Sequence, residues 1–166
     1  MVEPLHHHLG SDELAGVLRY LVTLVTRPHH DGGMLLPGWW VMRDPDTTMP
    51  TPGGHANFGM AHGAAGLLSL LALATVCGRL VDGQHEAIAT LTHWFDRWCQ
   101  DGPAGPWWPQ WITREELRAG RPACAHPGRV SWCYGAVRIA RALQLLRSPP
   151  ATHNASTPPK PRWPRT

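Results

Sequence analysis

Gly53-Gly54-His55-Ala56-Asn57-Phe58-Gly59-Met60-Ala61-His62-Gly63-Ala64-Ala65-Gly66 runs without a break into Leu67-Leu68-Ser69-Leu70-Leu71-Ala72-Leu73-Ala74-Thr75-Val76-Cys77. The second half, Gly63 to Cys77, is apolar on every side of a helix and ends at Gly78. A helix without a polar face is buried all round. At about 15 residues it is too short to cross a bilayer. Working outward, Ser11 to Arg27 is amphipathic, with Leu14, Val17, Leu18, Leu21, Val22 and Val25 on one face, Ser11 as its cap and Pro28 ending it. Gln84 to Gln100 is amphipathic again through Ile88, Leu91, Phe95 and Trp98. Thr113 caps a short helix holding Glu115, Glu116 and Leu117, and a last helix covers Cys133 to Leu146. No strand alternation of any length is present, so the expected class is all-α.

Between these helices lie long Gly/Pro/Trp-rich loops. Residues 28–57 hold Trp39 and Trp40 among Pro45, Pro50, Pro52, Gly53 and Gly54. Loops of that length in compact domains are commonly functional. Asp101 to Thr113, with Trp107, Trp108 and Trp111, predicts an irregular segment or a short hairpin. Its tryptophans are expected to fill core rather than to stack on a ligand.

The chain has 166 residues, which suits one ordinary core. The predicted limits are a disordered start over 1–10, a helical body over 11–147 and a disordered Pro/basic tail over 148–166. All 12 acidic residues lie at or before Glu116, whereas Arg118 to Thr166 carries nine basic residues. The net +3 therefore hides a nearly neutral body and a basic end. That end has neither helical periodicity nor aromatic interleaving beyond Trp163, which argues against nucleic acid. No membrane span and no secretory signal are read. Four cysteines are too few for a disulfide scaffold, and a reducing cytoplasm is the expected compartment.

Three groupings could carry chemistry. His55 and His62 flank the start of the buried helix. A histidine at a helix N-terminus is held towards the neutral form, which suits a general base or a metal ligand. The competing reading makes His62 a buried, hydrogen-bonded structural residue. In Arg129-Val130-Ser131-Trp132-Cys133-Tyr134-Gly135 the cysteine is either inert packing or a thiolate ligand, with Arg129 as a cation and Tyr134 as a proton donor beside it. Cys124, His126 and Cys133 are three soft donors in one region, without a recognised zinc spacing. His6, His7, His8, His29 and His30 read as surface residues.

Taken together, Gly38-Trp39-Trp40, the run His55 to Gly66, Gly102-Pro103-Ala104-Gly105-Pro106-Trp107-Trp108-Pro109-Gln110-Trp111 and Arg129 to Gly135 resemble the lanthionine synthetase C-like (lanthipeptide cyclase) family. The resemblance covers about residues 11–146. It implies an α/α toroid of seven helical layers, and a zinc enzyme that closes thioether rings in a precursor peptide. In such enzymes zinc activates a peptide cysteine for addition to dehydroalanine or dehydrobutyrine, and the enolate is then protonated. By position, the resemblance makes Cys133 the first zinc ligand and His62 the proton-transfer residue. The resemblance likewise matches Arg129 and Tyr134 to residues that flank the family's metal pocket. The implied partners are a dehydrated, Cys-bearing precursor peptide and a dehydratase.

Several family features are missing. The remaining zinc ligands belong to a later Cys-His-Gly motif, yet no cysteine follows Cys133 and His153 is the one later histidine. The upstream active-site Asp motif is absent, and Ala136-Val137-Arg138 stands where the family has a small-Pro-Gly turn. The abrupt change at Ser148 is what a shifted reading frame in GC-rich DNA would produce. The expectation is an incomplete toroid of about five helices, with one of three zinc ligands, an exposed apolar patch and no cyclase activity alone. A non-catalytic remnant or peptide-binding module is the second reading, and another α/α-toroid enzyme the third.

Overall fold

The computed structural model describes residues 11–45, 48–128, 131 and 133–146. The two predicted disordered ends, 1–10 and 148–166, and Arg129 lie outside the described residues. Among the described residues, five helices and five short strands follow in the order α1 (Ser11–Thr26), β1 (His29–Asp31), β2 (Met34–Leu36), β3 (Trp40–Val41), β4 (His55–Asn57), α2 (Ala64–Val76), α3 (Gln84–Trp98), β5 (Trp111–Thr113), α4 (Arg114–Ala119) and α5 (Ala136–Leu145).

α2 is the centre of the packing, between α3 and α5, while α1 packs on α3. Its Ala64, Ala65, Leu68, Leu71, Ala72 and Ala74 are buried, whereas Leu67, Leu70, Leu73 and Val76 are half-buried, so the all-round burial expected of an apolar helix is met only in part. α1 contributes Leu14, Leu18, Val22 and Val25 from one stripe, and α3 contributes Leu91, Phe95 and Trp98. α3 starts where Gln84 folds back into the core. Its Nε2 donates to the carbonyls of Leu71 and Arg79 and to Thr75 Oγ1, and its Oε1 accepts from the Val81 N–H. α4 starts at a reciprocal cap. The Thr113 hydroxyl accepts from the Glu116 N–H, and the Glu116 carboxylate accepts from the Thr113 N–H at 2.8 Å.

The all-α expectation needs correction: the protein is mainly helical, with two small antiparallel sheets built from the long loops. β1 and β2 form a hairpin in which Asp31 pairs with Met34, so Gly32 and Gly33 make a two-residue turn at φ +55° and +76°. β3, β4 and β5 form a three-stranded sheet in that order. Ala56 and Ile112, both fully buried, put one face of that sheet on the helical core. Strands of two or three residues are too short to show a period-2 pattern, which is why the sequence does not announce them. The Asp101–Thr113 segment does close as a small hairpin-like turn, through an antiparallel bridge between Gln100 and Trp107. Trp107 and Trp108 fill core as expected, with Trp108 Nε1 donating to the Phe95 carbonyl at 2.8 Å.

The last helix begins at Ala136, three residues later than Cys133. Gly135 sits at φ +114°, a conformation that side-chain-bearing residues rarely adopt, and it detaches Cys133 and Tyr134 from the helix. Among the described residues no helix is long and apolar enough to cross a membrane.

Candidate functional site

β4 delivers His55 and Asn57 to one face of its sheet, because side chains two apart in a strand share a face. Asn57 then organises the turn that leads into α2. Its Oδ1 accepts from the Gly59 N–H at 2.7 Å, and its Nδ2 donates to the Tyr134 hydroxyl at 3.0 Å. The Met60 N–H donates to the Cys133 carbonyl at 2.8 Å. Side-chain and backbone bonds thus clamp Cys133-Tyr134 onto residues 57–60, across 77 residues of sequence. Ser131 closes the segment locally, its N–H donating to the Tyr134 carbonyl and its Oγ accepting from the Tyr134 N–H.

Two glycines make the approach possible. A methyl on Gly59 would lie 2.9 Å from both Asn57 Oδ1 and Tyr134 Cε1. One on Gly63 would lie 2.3 Å from the Asn57 carbonyl oxygen. The turn and the first residues of α2 are therefore in backbone contact, with no room for a side chain between them.

The structure brings Cys133 and Tyr134 together with Asn57 and Gly59, joining two of the motifs that carry the resemblance. Trp111 joins them, its ring edge-on to Tyr134 at 6.4 Å between centroids and edge-on to His55 at 6.1 Å. His62 stands apart from this hydrogen-bonded cluster. It is exposed on the turn before α2, at the wall of an apolar cavity of about 490 Å³ lined by Leu21, Leu24, Trp39, Met60 and Leu67. The buried, hydrogen-bonded histidine is His55, 2% exposed, with Nδ1 3.3 Å from Thr51 Oγ1. Thr51 in turn donates both its hydroxyl and its N–H to Asp44 Oδ1, at 3.0 and 2.7 Å. No local pattern carried a signal for this role, because the strand that holds His55 pairs only through tertiary contact.

Burial pushes the His55 pKa below the ordinary value, and Asp44 only partly opposes it. On acidification the unfolded chain takes up a proton near pH ~6.5, while the folded state refuses it until lower pH. The stabilisation is fully present above that pH and is lost as pH falls below it. In urea titrations between pH 8 and pH 5, wild type should lose midpoint concentration below about pH 6.5. His55→Gln should flatten that limb, and equal slopes in the two proteins would contradict the assignment.

The family resemblance implies a zinc site. Among the described residues no group of three His, Cys, Asp or Glu side chains could hold a metal ion. The Cys124, His126 and Cys133 set suggested by the sequence is not assembled, which is a correction to that reading. Burial, then the Glu116 carboxylate, pushes the Cys124 thiol pKa above its ordinary value. Cys133 is a free, half-buried cysteine. The described residues therefore do not fit zinc.

Comparison with known proteins places this geometry. The family model for lanthionine synthetase C-like protein matches residues 11–155. A search of curated proteins gives no match. Among solved structures, nisin cyclase is similar at TM-score 0.65 and 19% identity, over 82% of this chain and 38% of that one. The chain thus spans little more than a third of the length of that relative, and the likeness is one of fold. With most of its length under the family model, the chain belongs to the lanthionine synthetase C-like family.

Proposed function

We propose that the chain is a lanthionine cyclase-like protein that engages a dehydrated, Cys-bearing precursor peptide at the Asn57–Tyr134 clamp. The observation that carries this reading is the docking of Cys133-Tyr134 on residues 57–60, inside a chain matched by the family model. Tyr134 is the residue here that can give or take a proton at its phenolic oxygen, which already accepts from Asn57. His62, exposed at the cavity wall, and Arg129 complete the proposed site by their positions in the family pattern. The dehydro residues would come from a dehydratase acting earlier on the same peptide. These 166 residues are proposed to form an incomplete toroid, which places zinc-dependent ring closure beyond them alone.

Metal analysis and a ring-closure assay on the purified chain test this. Ring closure leaves peptide mass unchanged, so it is read by loss of alkylatable cysteine. The expected results are sub-stoichiometric zinc and full alkylation of the peptide cysteines. Stoichiometric zinc that is lost in Cys133→Ala but retained in Cys124→Ser, or any ring closure, would overturn the inactive-fragment reading.

A further inference from the structure

The three-stranded sheet has an edge at β5, and its register fixes which backbone groups of that strand are free. β4 and β5 pair as His55–Thr113, Ala56–Ile112 and Asn57–Trp111. The Phe58 N–H donates to the Gln110 carbonyl at 2.9 Å. In an antiparallel pair, alternate residues turn their N–H and C=O to the neighbour, so Gln110 and Ile112 face β4. Trp111 and Thr113 therefore face away from it. The Thr113 N–H is used by the Glu116 carboxylate. The N–H and C=O of Trp111 have no hydrogen-bond partner among the described residues.

Trp111 also lines a groove of about 420 Å³ between β5 and the loop 123–128, together with Gln110, Glu115, Glu116, Cys124 and His126. An outward donor and acceptor on one edge residue are what an added strand requires. The groove's charge is also one-sided. Glu115 is exposed, Glu116 is held in place by Thr113 and by the Ala123 N–H at 2.7 Å, and neither Lys nor Arg lines the groove. We propose that the free edge of β5 at Trp111 binds an extended peptide segment bearing a Lys or Arg, as an added strand. The proposal deepens the peptide-engaging function above and rests on it for the identity of the segment as substrate. The peptide residue opposite Trp111 shares its face of the sheet, the face on which Asn57 and Tyr134 meet. Strand addition would thus set the register in which a peptide side chain reaches the clamp.

The test uses the full chain and a fluorescein-labelled synthetic peptide, Thr-Val-Thr-Lys-Thr-Val, with single backbone N-methylations walked along it. The peptide contains neither cysteine nor dehydroamino acid. Failure to bind therefore leaves the reading above standing, and stoichiometric zinc or ring closure, which would overturn that reading, leaves this proposal standing. The expected results are saturable binding, slowed exchange of the Trp111 amide, and a loss of about tenfold or more from N-methylation at alternate positions only. Glu115→Lys, a change at an exposed position, should weaken binding about threefold or more, and less so at high salt. Uniform tolerance of N-methylation, or unchanged Trp111 exchange on binding, would overturn the proposal. So would Trp111 protection that rises with protein concentration alone together with a doubled mass, which would assign the edge to a second copy of this chain.

Discussion

Gly63→Ala is expected to destabilise the protein by more than about 3 kcal/mol and to detach the Cys133-Tyr134 segment from its turn. The new methyl would be placed 2.3 Å from the Asn57 carbonyl oxygen and 2.6 Å from its carbonyl carbon. Both are backbone atoms, so no rotamer change relieves the contact. Gly63 has φ −148°, ordinary extended backbone, so the cost is steric rather than conformational. Relief requires the 57–60 turn to move off α2, and that turn carries the Asn57–Tyr134 and Met60–Cys133 bonds. Gly16→Ala is the control. It lies in α1 with nothing within 4 Å of the new methyl, and replacing a helix-interior glycine there should stabilise by about 0.5–1 kcal/mol. Urea midpoints of the two variants should move in opposite directions, and a destabilisation by Gly63→Ala no larger than about 1 kcal/mol would show that the turn yields.

The second large effect is expected at Trp98. Its side chain is 0% exposed and packs against Trp94 at 5.7 Å between ring centroids. Trp98→Ala should cost about 3–5 kcal/mol through lost contact and the cavity left behind. Its indole Nε1 is buried without a hydrogen-bond partner among the described residues, as are those of Trp39 and Trp94. A desolvated, unmet donor costs about 1–3 kcal/mol in the folded state. Trp98→Phe removes that donor while keeping most of the ring, so it should lose far less than the alanine variant. Equal losses in chemical denaturation would mean that the indole N–H meets an acceptor. Trp39 and Trp94 meet edge-on at 5.5 Å, so the three orphaned donors share one aromatic cluster.

The helices were readable because each has a distinctive apolar pattern over many residues. α2 declares itself by having no polar face, α1 and α3 by their stripes, and α4 by Thr113 and Glu116 at capping-box spacing. The β1–β2 hairpin carried a local signal, Asp31-Gly32-Gly33, but its strands of three residues were too short to reinforce it. The β3–β4–β5 sheet carried none, because its strands come from separate loops and pair only through tertiary contact. The start of α5 was misplaced for a related reason. A helical pattern continues back to Cys133, but the Tyr134 bond to Asn57 holds that segment outside the helix.

Sequence by itself determined the helical body, the family and the motif residues, since these depend on periodicity and on residue identity along the chain. Tertiary structure alone decided which of those residues meet. It joined Tyr134 and Cys133 to Asn57 and Met60, buried His55 against Thr51, and left His62 exposed at the wall of the apolar cavity. It also left Cys124, His126 and Cys133 without a shared metal position. Spacing along a chain limits what a segment forms locally, whereas ligand geometry requires groups far apart in sequence to converge within a few ångströms. That convergence is set by strand register and backbone contacts such as Gly63 on Asn57, which no local pattern encodes.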